Sequence, residues 1–176
     1  MKKLFLLLVV ALVSTLSVTA QEDWKHEIGI SYGPGAFTDL SSSYVGGATL
    51  GKQTSYVGAI GAEYFYRPKS PLGVGLVATF GTCKWSDSGN VRSSYISILP
   101  ALKYNWLNRE HYSMYSKLAL GVIIGVNHGG EKGTTSAAFG WQASVVGAEF
   151  GGAFRGFIEL GVGEQGLLVA GVKYKF

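Results

Sequence analysis

The sequence predicts an all-β protein, an eight-stranded antiparallel up-and-down transmembrane β-barrel. Three observations predict it. After Ala20, apolar residues recur at every second position over segments long enough to cross a bilayer as tilted strands. No segment beyond that point carries a sustained 3.6-residue apolar period or an apolar run of membrane-helix length. The composition is also unsuited to a soluble surface: 15% of residues are charged and 26 of 176 are glycine, against about 25% and about 7% in ordinary soluble domains.

The chain opens with an export signal. Met1, Lys2 and Lys3 form a basic start, Leu4 to Val13 is apolar throughout, and small residues precede Gln21. The apolar stretch is too short for a spanning helix, and no cysteine stands at the junction to take a lipid anchor. These features predict a signal peptide at 1–20 and one barrel domain at 21–176. Of the formal charge of +4, two units are Lys2 and Lys3, so the exported chain has too little basic excess for nucleic acid. Cys83 is the one cysteine, which excludes an intramolecular disulfide and reads as an unreactive loop thiol.

The strands follow in order. Residues 24–33 (WKHEIGISYG) form the first, with Trp24 and His26 outward at a membrane interface and Lys25 and Glu27 inward. Residues 56–66 (YVGAIGAEYFY) form the second, with Glu63 inward. In 71–81, Leu72, Val74, Leu76, Ala78 and Phe80 face one way, and Gly73, Gly75, Val77, Thr79 and Gly81 the other. In 95–106, Ile96, Ile98, Pro100, Leu102, Tyr104 and Trp106 oppose Ser97, Ala101, Lys103 and Asn105. Residues 114–126 set Met114, Leu118, Leu120, Val122, Ile124 and Val126 against Tyr115, Lys117, Ala119, Gly121 and Gly125. The sixth strand, 139–150, carries Gln142 and Glu149 at positions of opposite parity, so its inward face depends on which of them points inward, and a bulge would reconcile both. The seventh is 155–163. The eighth, 167–176, sets Leu168, Ala170, Val172, Tyr174 and Phe176 against Val169, Gly171, Lys173 and Lys175, with Lys175 near a wet inner rim.

The connections alternate in length. Long polar links are expected at 34–55, 82–94 and 127–138 and short ones at 67–71, 107–112 and 151–154, with GEQG (163–166) the short exception on the long-loop side. Outer-membrane barrels pair long outer loops with short periplasmic turns, so both termini are expected in the periplasm.

Alternation alone does not say which face is outside. Aromatics decide it. Trp24, Tyr64, Tyr66, Tyr104, Trp106, Tyr112, Phe150, Tyr174 and Phe176 gather at the short-turn end, and a looser set, Tyr32, Tyr56, Phe80, Tyr95 and Phe139, marks the other. Interfacial girdles select this distribution. The second face is mostly small residues with a few ions: Lys25, Glu27, Glu63, Lys103, Lys117, Glu159, Lys173 and Lys175. Opposite signs can pair inside an eight-stranded lumen, which is only side-chain wide, whereas a lysine facing mid-bilayer lipid costs about 2–4 kcal/mol.

With a signal peptide, eight alternating strands and a terminal GVKYKF in which Val172, Tyr174 and Phe176 are spaced by two, the chain resembles the small OmpX/OmpA-type outer-membrane β-barrel family. The resemblance implies outer-membrane lipids as surroundings and recognition of Phe176 by the outer-membrane assembly machinery. It implies a bacterial outer-membrane location, in a Gram-negative cell, and a structural or surface-interaction role for the loops. A small-solute channel and a lipid-modifying barrel enzyme are the alternatives.

The sequence assigns no catalytic, cofactor-binding or metal residue. Ser31 lies in a G-x-S-x-G match (29–33), but Pro34 and Gly35 follow where a nucleophile elbow needs a helix. The enzyme alternative would need Ser31 to meet His128. GVGEQG (161–166) matches G-x-G-x-x-G yet leads into a strand, so it reads as a turn, not a phosphate cradle. His26, His111 and His128 lack metal-ligand spacing, and Asp39, Asp87 and Glu131 are isolated. A monomer without cofactor, metal or nucleic-acid partner is expected.

Overall fold

Strand formation follows the period-two pattern, and in the computed structural model all eight expected strands are present. The structure describes residues 24–34, 53–68, 71–85, 91–127 and 134–176. The strands are β1 (His26–Gly33), β2 (Gln53–Tyr66), β3 (Leu72–Trp85), β4 (Val91–Asn108), β5 (Tyr112–Asn127), β6 (Thr134–Gly151), β7 (Phe154–Gly163) and β8 (Leu168–Lys175). Each pairs antiparallel with its sequence neighbours, and β1 pairs with β8 to close the barrel. No helix occurs among the described residues.

Closure satisfies the backbone polar groups that an open sheet would leave bare in lipid. The seam runs from Glu27↔Lys175 to Tyr32↔Ala170. It is lengthened by reciprocal bonds, His26 N–H to Phe176 O and Phe176 N–H to His26 O, each 2.9 Å. Phe176 is therefore tied down although β8 ends one residue earlier.

The apolar stripes face outward. Ile28, Ile30, Ile60, Leu72, Val74, Leu76, Ile96, Ile98, Leu118, Leu120, Val122 and Ile124 are all exposed, while the alternate positions are buried in the lumen. A protein that turns its aliphatic residues out and its ions in has lipid, not water, as its outer solvent. A bulge settles the inward face of β6: register shifts flank Val145 on both sides, so Val145 and Val146 both face outward and Gln142 and Glu149 both face inward.

Strands β3, β4 and β6 run further than expected at the end opposite the termini. β4 starts at Val91 and β6 at Thr134, so the links predicted at 82–94 and 127–138 shrink to 86–90 and 128–133. Beyond the hydrocarbon zone both faces of a strand are wet, so the apolar alternation that marks a strand is no longer imposed. The longest interval between described strands is 34–52.

Glycine sets the bore. Inward rings lie over glycines of the adjacent strand: Phe65 over Gly75, Tyr95 over Gly81, Tyr115 over Gly147 and Phe157 over Gly171. A Cβ at any of these would overlap the ring. The large glycine content thus makes room for aromatic side chains inside a narrow barrel.

Candidate functional site

The lumen is the most elaborated region of the described chain. Inward positions of β1, β2 and β4–β8 carry Glu27, Glu63, Lys103, Lys117, Glu149, Arg155, Glu159, Lys173 and Lys175, all buried. They pair across the bore instead of along one strand. Lys103 of β4 reaches Glu27 of β1 and Glu149 of β6, each at 2.5 Å. Lys117 of β5 meets Glu63 of β2 at 3.1 Å and Glu159 of β7 at 2.8 Å. Lys173 of β8 bridges Glu63 at 2.8 Å and Glu149 at 3.1 Å, and Lys175 meets Glu149 at 2.5 Å. Every carboxylate in this set has a cation partner, which is the condition under which buried charge is tolerated.

Aromatic rings and hydroxyls complete the network. Tyr115 O–H donates to Glu159 at 2.5 Å and Ser144 O–H donates to the other oxygen of Glu159 at 2.7 Å. Lys103 and Lys173 lie 4.1 and 4.9 Å from the Tyr115 ring centre, and Lys173 lies 4.0 Å from that of Phe157. Beside the ions, inward Phe65, Val77, Leu99, Ala101 and Ala119 of β2–β5 pack as one apolar cluster. Ion pairs and hydrocarbon thus share the lumen.

At the terminal end, Arg155 closes the network. Its guanidinium donates to Ser113 Oγ at 2.8 Å and to the carbonyls of Gly152 and Glu110 at 2.8 and 2.6 Å. Trp24 covers it, with the guanidinium 5.3 Å from the indole. At the opposite end the bore is lined by Ser31, Gly33, Gly61, Gln142 and Gly161, and the 163–166 turn occupies it.

Seven of the eight ions expected to face inward do so. Lys25 does not: it precedes β1, where the alternation has not yet been imposed by pairing, and is exposed. Lys175, expected near a wet rim, is 1% exposed because Glu149 holds it inside. Arg155 was not singled out, since it directly follows the 151–154 turn; its position two residues before inward Phe157 is the signal that finds it. Trp24, expected at the lipid interface, instead lies over Arg155. Tyr95, placed in the distal girdle, faces the lumen above Gly81 at 6% exposure. Of the other described girdle members at the terminal end, Tyr64, Tyr66, Tyr104, Trp106, Phe150, Tyr174 and Phe176 are exposed and Tyr112 is half-buried with its ring 5.1 Å from Phe150, and Phe154 joins them.

The motif matches carry no catalytic geometry. Ser31 is a buried β1 residue whose Oγ lies 3.5 Å from the amide nitrogen of Gln165, and no base is placed beside it among the described residues. GVGEQG joins β7 to β8 with no helix. His26 sits on the terminal rim, its Nδ1 2.8 Å from the Tyr64 hydroxyl and its ring stacked on Phe176 at 5.4 Å. His111 is exposed beside Glu110. Among the described residues no group of His, Cys, Asp or Glu could hold a metal ion. His128, Asp39, Asp87 and Glu131, the 1–20 segment and the Tyr56 and Cys83 side chains lie outside the described residues.

No protein-family model and no curated protein matches the chain. Solved structures do. The attachment invasion locus protein Ail of Yersinia pestis aligns at 15% identity over 86% of this chain and 97% of its own, with a TM-score of 0.49. The N-terminal β-barrel domain of Pseudomonas aeruginosa OprF aligns at 13% identity over 88% of this chain and 100% of its own, with a TM-score of 0.48. Ail in a phospholipid bilayer nanodisc aligns at 16% identity over the same 88% of this chain, with a TM-score of 0.45. The strand order, the apolar exterior and the ion-paired bore give this chain the architecture of a closed, eight-stranded antiparallel β-barrel with an outer face suited to lipid.

Proposed function

We propose that the chain is a monomeric, non-enzymatic integral protein of a Gram-negative outer membrane, exported by a signal at 1–20, whose rigid barrel carries surface-interaction loops at the end away from the termini. One observation carries this reading: an apolar, aromatic-edged exterior surrounds a bore filled by cross-lumen ion pairs and packed side chains. The exterior supplies a partner, membrane lipid. Among the described residues, buried ion pairs cross the bore and Ser31 has the Gln165 amide as its neighbour, which supports the scaffold over the channel and lipid-modifying alternatives. Phe176, exposed on the rim and paired through its backbone to His26, is the residue through which the assembly machinery would act.

The test is fractionation followed by electrical recording. The folded protein should partition with outer membranes, require detergent for extraction, and give only rare, small conductance steps in planar bilayers. Recovery of folded protein from the soluble periplasm would overturn the membrane reading. Large, reproducible conductance from a verified monomer would replace the scaffold with a channel, and lipid hydrolysis by the purified barrel would make it an enzyme.

A further inference from the structure

The connection between β7 and β8 does not project from the barrel. Glu164 and Gln165 are 2% and 1% exposed, values foreign to a loop tip, which ordinarily lies in solvent. The turn is folded back into the bore. Gln165 N–H donates to Gln142 Oε1 at 2.8 Å, and the Gln142 amide reaches Gly166 O at 3.4 Å. Glu164 N–H donates to Trp141 O at 3.0 Å, and Leu167 N–H to Pro34 O at 3.3 Å. The Gln165 amide lies 3.5 Å from Ser31 Oγ. The turn is thus bonded to β1 and β6, walls on either side of the strands it connects.

The walls are cut to receive it. At Gly33 a Cβ would overlap the Gln165 carbonyl, and at Gly61 it would lie 3.2 Å from the Gln165 amide nitrogen besides overlapping Ser31 Oγ. Gly163 and Gly166, with φ of +137° and +112°, let the chain fold inward at one corner and back out at the other, a conformation that side-chain-bearing residues rarely adopt. Beneath the turn lie Gln142, Ser144 and Glu159, so the turn stands between the distal mouth and the ionic network.

We propose that residues 163–166 form a built-in plug of the distal lumen, seated in a glycine-lined socket and held by Gln142 and Gln165. It keeps water and solutes from the buried ion pairs. The side-chain part of the hold, Gln142 to the turn backbone and Gln165 toward Ser31, is separate from the ion pairs that span the bore, so it can be removed without touching them.

The test reads access to the socket floor. In a Cys83→Ser background, Ser31→Cys is titrated with a small charged thiol reagent in the folded, detergent-solubilised protein, with exposed Lys25→Cys as the reference. Ser31→Cys should react far more slowly than Lys25→Cys. Adding Gln142→Ala and Gln165→Ala, which removes the side-chain hydrogen bonds holding the turn, should raise its rate by about tenfold or more, with unchanged β-sheet circular dichroism. Oxidising a Ser31→Cys/Gln165→Cys protein should form an intrachain disulfide in the folded barrel. Ser31→Cys reacting as fast as Lys25→Cys, no rate change in the folded double-alanine protein, or no crosslink would each overturn the plug. Conductance tests the scaffold reading separately: a quiet barrel whose Ser31→Cys is open to reagent would lose the plug and keep the scaffold.

Discussion

Lys173 shows what single residues contribute. Its Nζ is shared by Glu63 and Glu149 and lies 3.8 Å from Glu27, all inside the bore. Lys173→Met removes the cation and leaves buried carboxylates under-compensated, a change expected to cost about 3–5 kcal/mol. Lys25→Met, at an exposed site, should stay within about 0.5 kcal/mol. Urea unfolding in lipid vesicles, read by tryptophan fluorescence, measures both. Gly147 makes the complementary point about space: Gly147→Val pushes on the Tyr115 ring, and overpacking of this kind costs about 1–3 kcal/mol. The same unfolding series, with Gly152→Val as a control at an open position, checks it. These glycines could not be distinguished by sequence, because alternation marks a position as inward without saying which ring of the next strand will lie over it.

At the scale of the element, β6 depends on one hydroxyl. The bulge at Val145 removes a carbonyl from the regular ladder on the lipid side, and Ser116 O–H of β5 donates to Val145 O at 2.6 Å. In hydrocarbon no water replaces that donor. Ser116→Ala should therefore destabilise the barrel by about 1–3 kcal/mol, and hydrogen exchange should show faster opening in β5 and β6 than elsewhere. The closing strand presents a second case. Phe176→Asp removes the ring stacked against His26 and Tyr174 and places a charge on the interfacial rim. Assembly into membranes should slow well beyond the effect of Lys25→Asp in a pulse-chase experiment. Lys175 is unsuitable as the comparison, since Lys175→Asp would put a second carboxylate beside Glu149 inside the bore. Element identity was legible throughout: all eight strands followed from parity, while the inward face of β6 stayed open between Gln142 and Glu149 until the bulge turned both inward. Strand ends were not, because pairing above the hydrocarbon zone continues through polar residues such as Arg92, Ser94 and Thr135.

For the whole molecule, orientation is the open physical quantity with a direct readout. Both described ends of the chain, at Trp24 and Phe176, lie on the rim that carries the short turns. If this rim is periplasmic, cysteines substituted for Lys52 or Lys132 should be labelled on intact cells by an impermeant reagent, while one at His111 is labelled only after lysis. Labelling of His111→Cys alone on intact cells would invert the barrel.

By itself the sequence determined the architecture and its solvent. A period of two repeated eight times, with aliphatics on one parity and small or ionic residues on the other, admits a closed barrel with lipid outside, because closure alone satisfies every backbone group there. It also determined most of the lumen's chemistry, since strand parity assigns Glu27, Glu63, Lys103, Lys117, Glu159 and Lys173 to the same side. Only the tertiary structure decided which of these ions meet. Their partners lie on strands far apart in sequence, and the register and tilt that bring Lys103 to Glu149, or fold the 163–166 turn onto Gln142, exist only once β1 has closed on β8. Parity is a local property of each strand, whereas contact across a bore belongs to the closed ring.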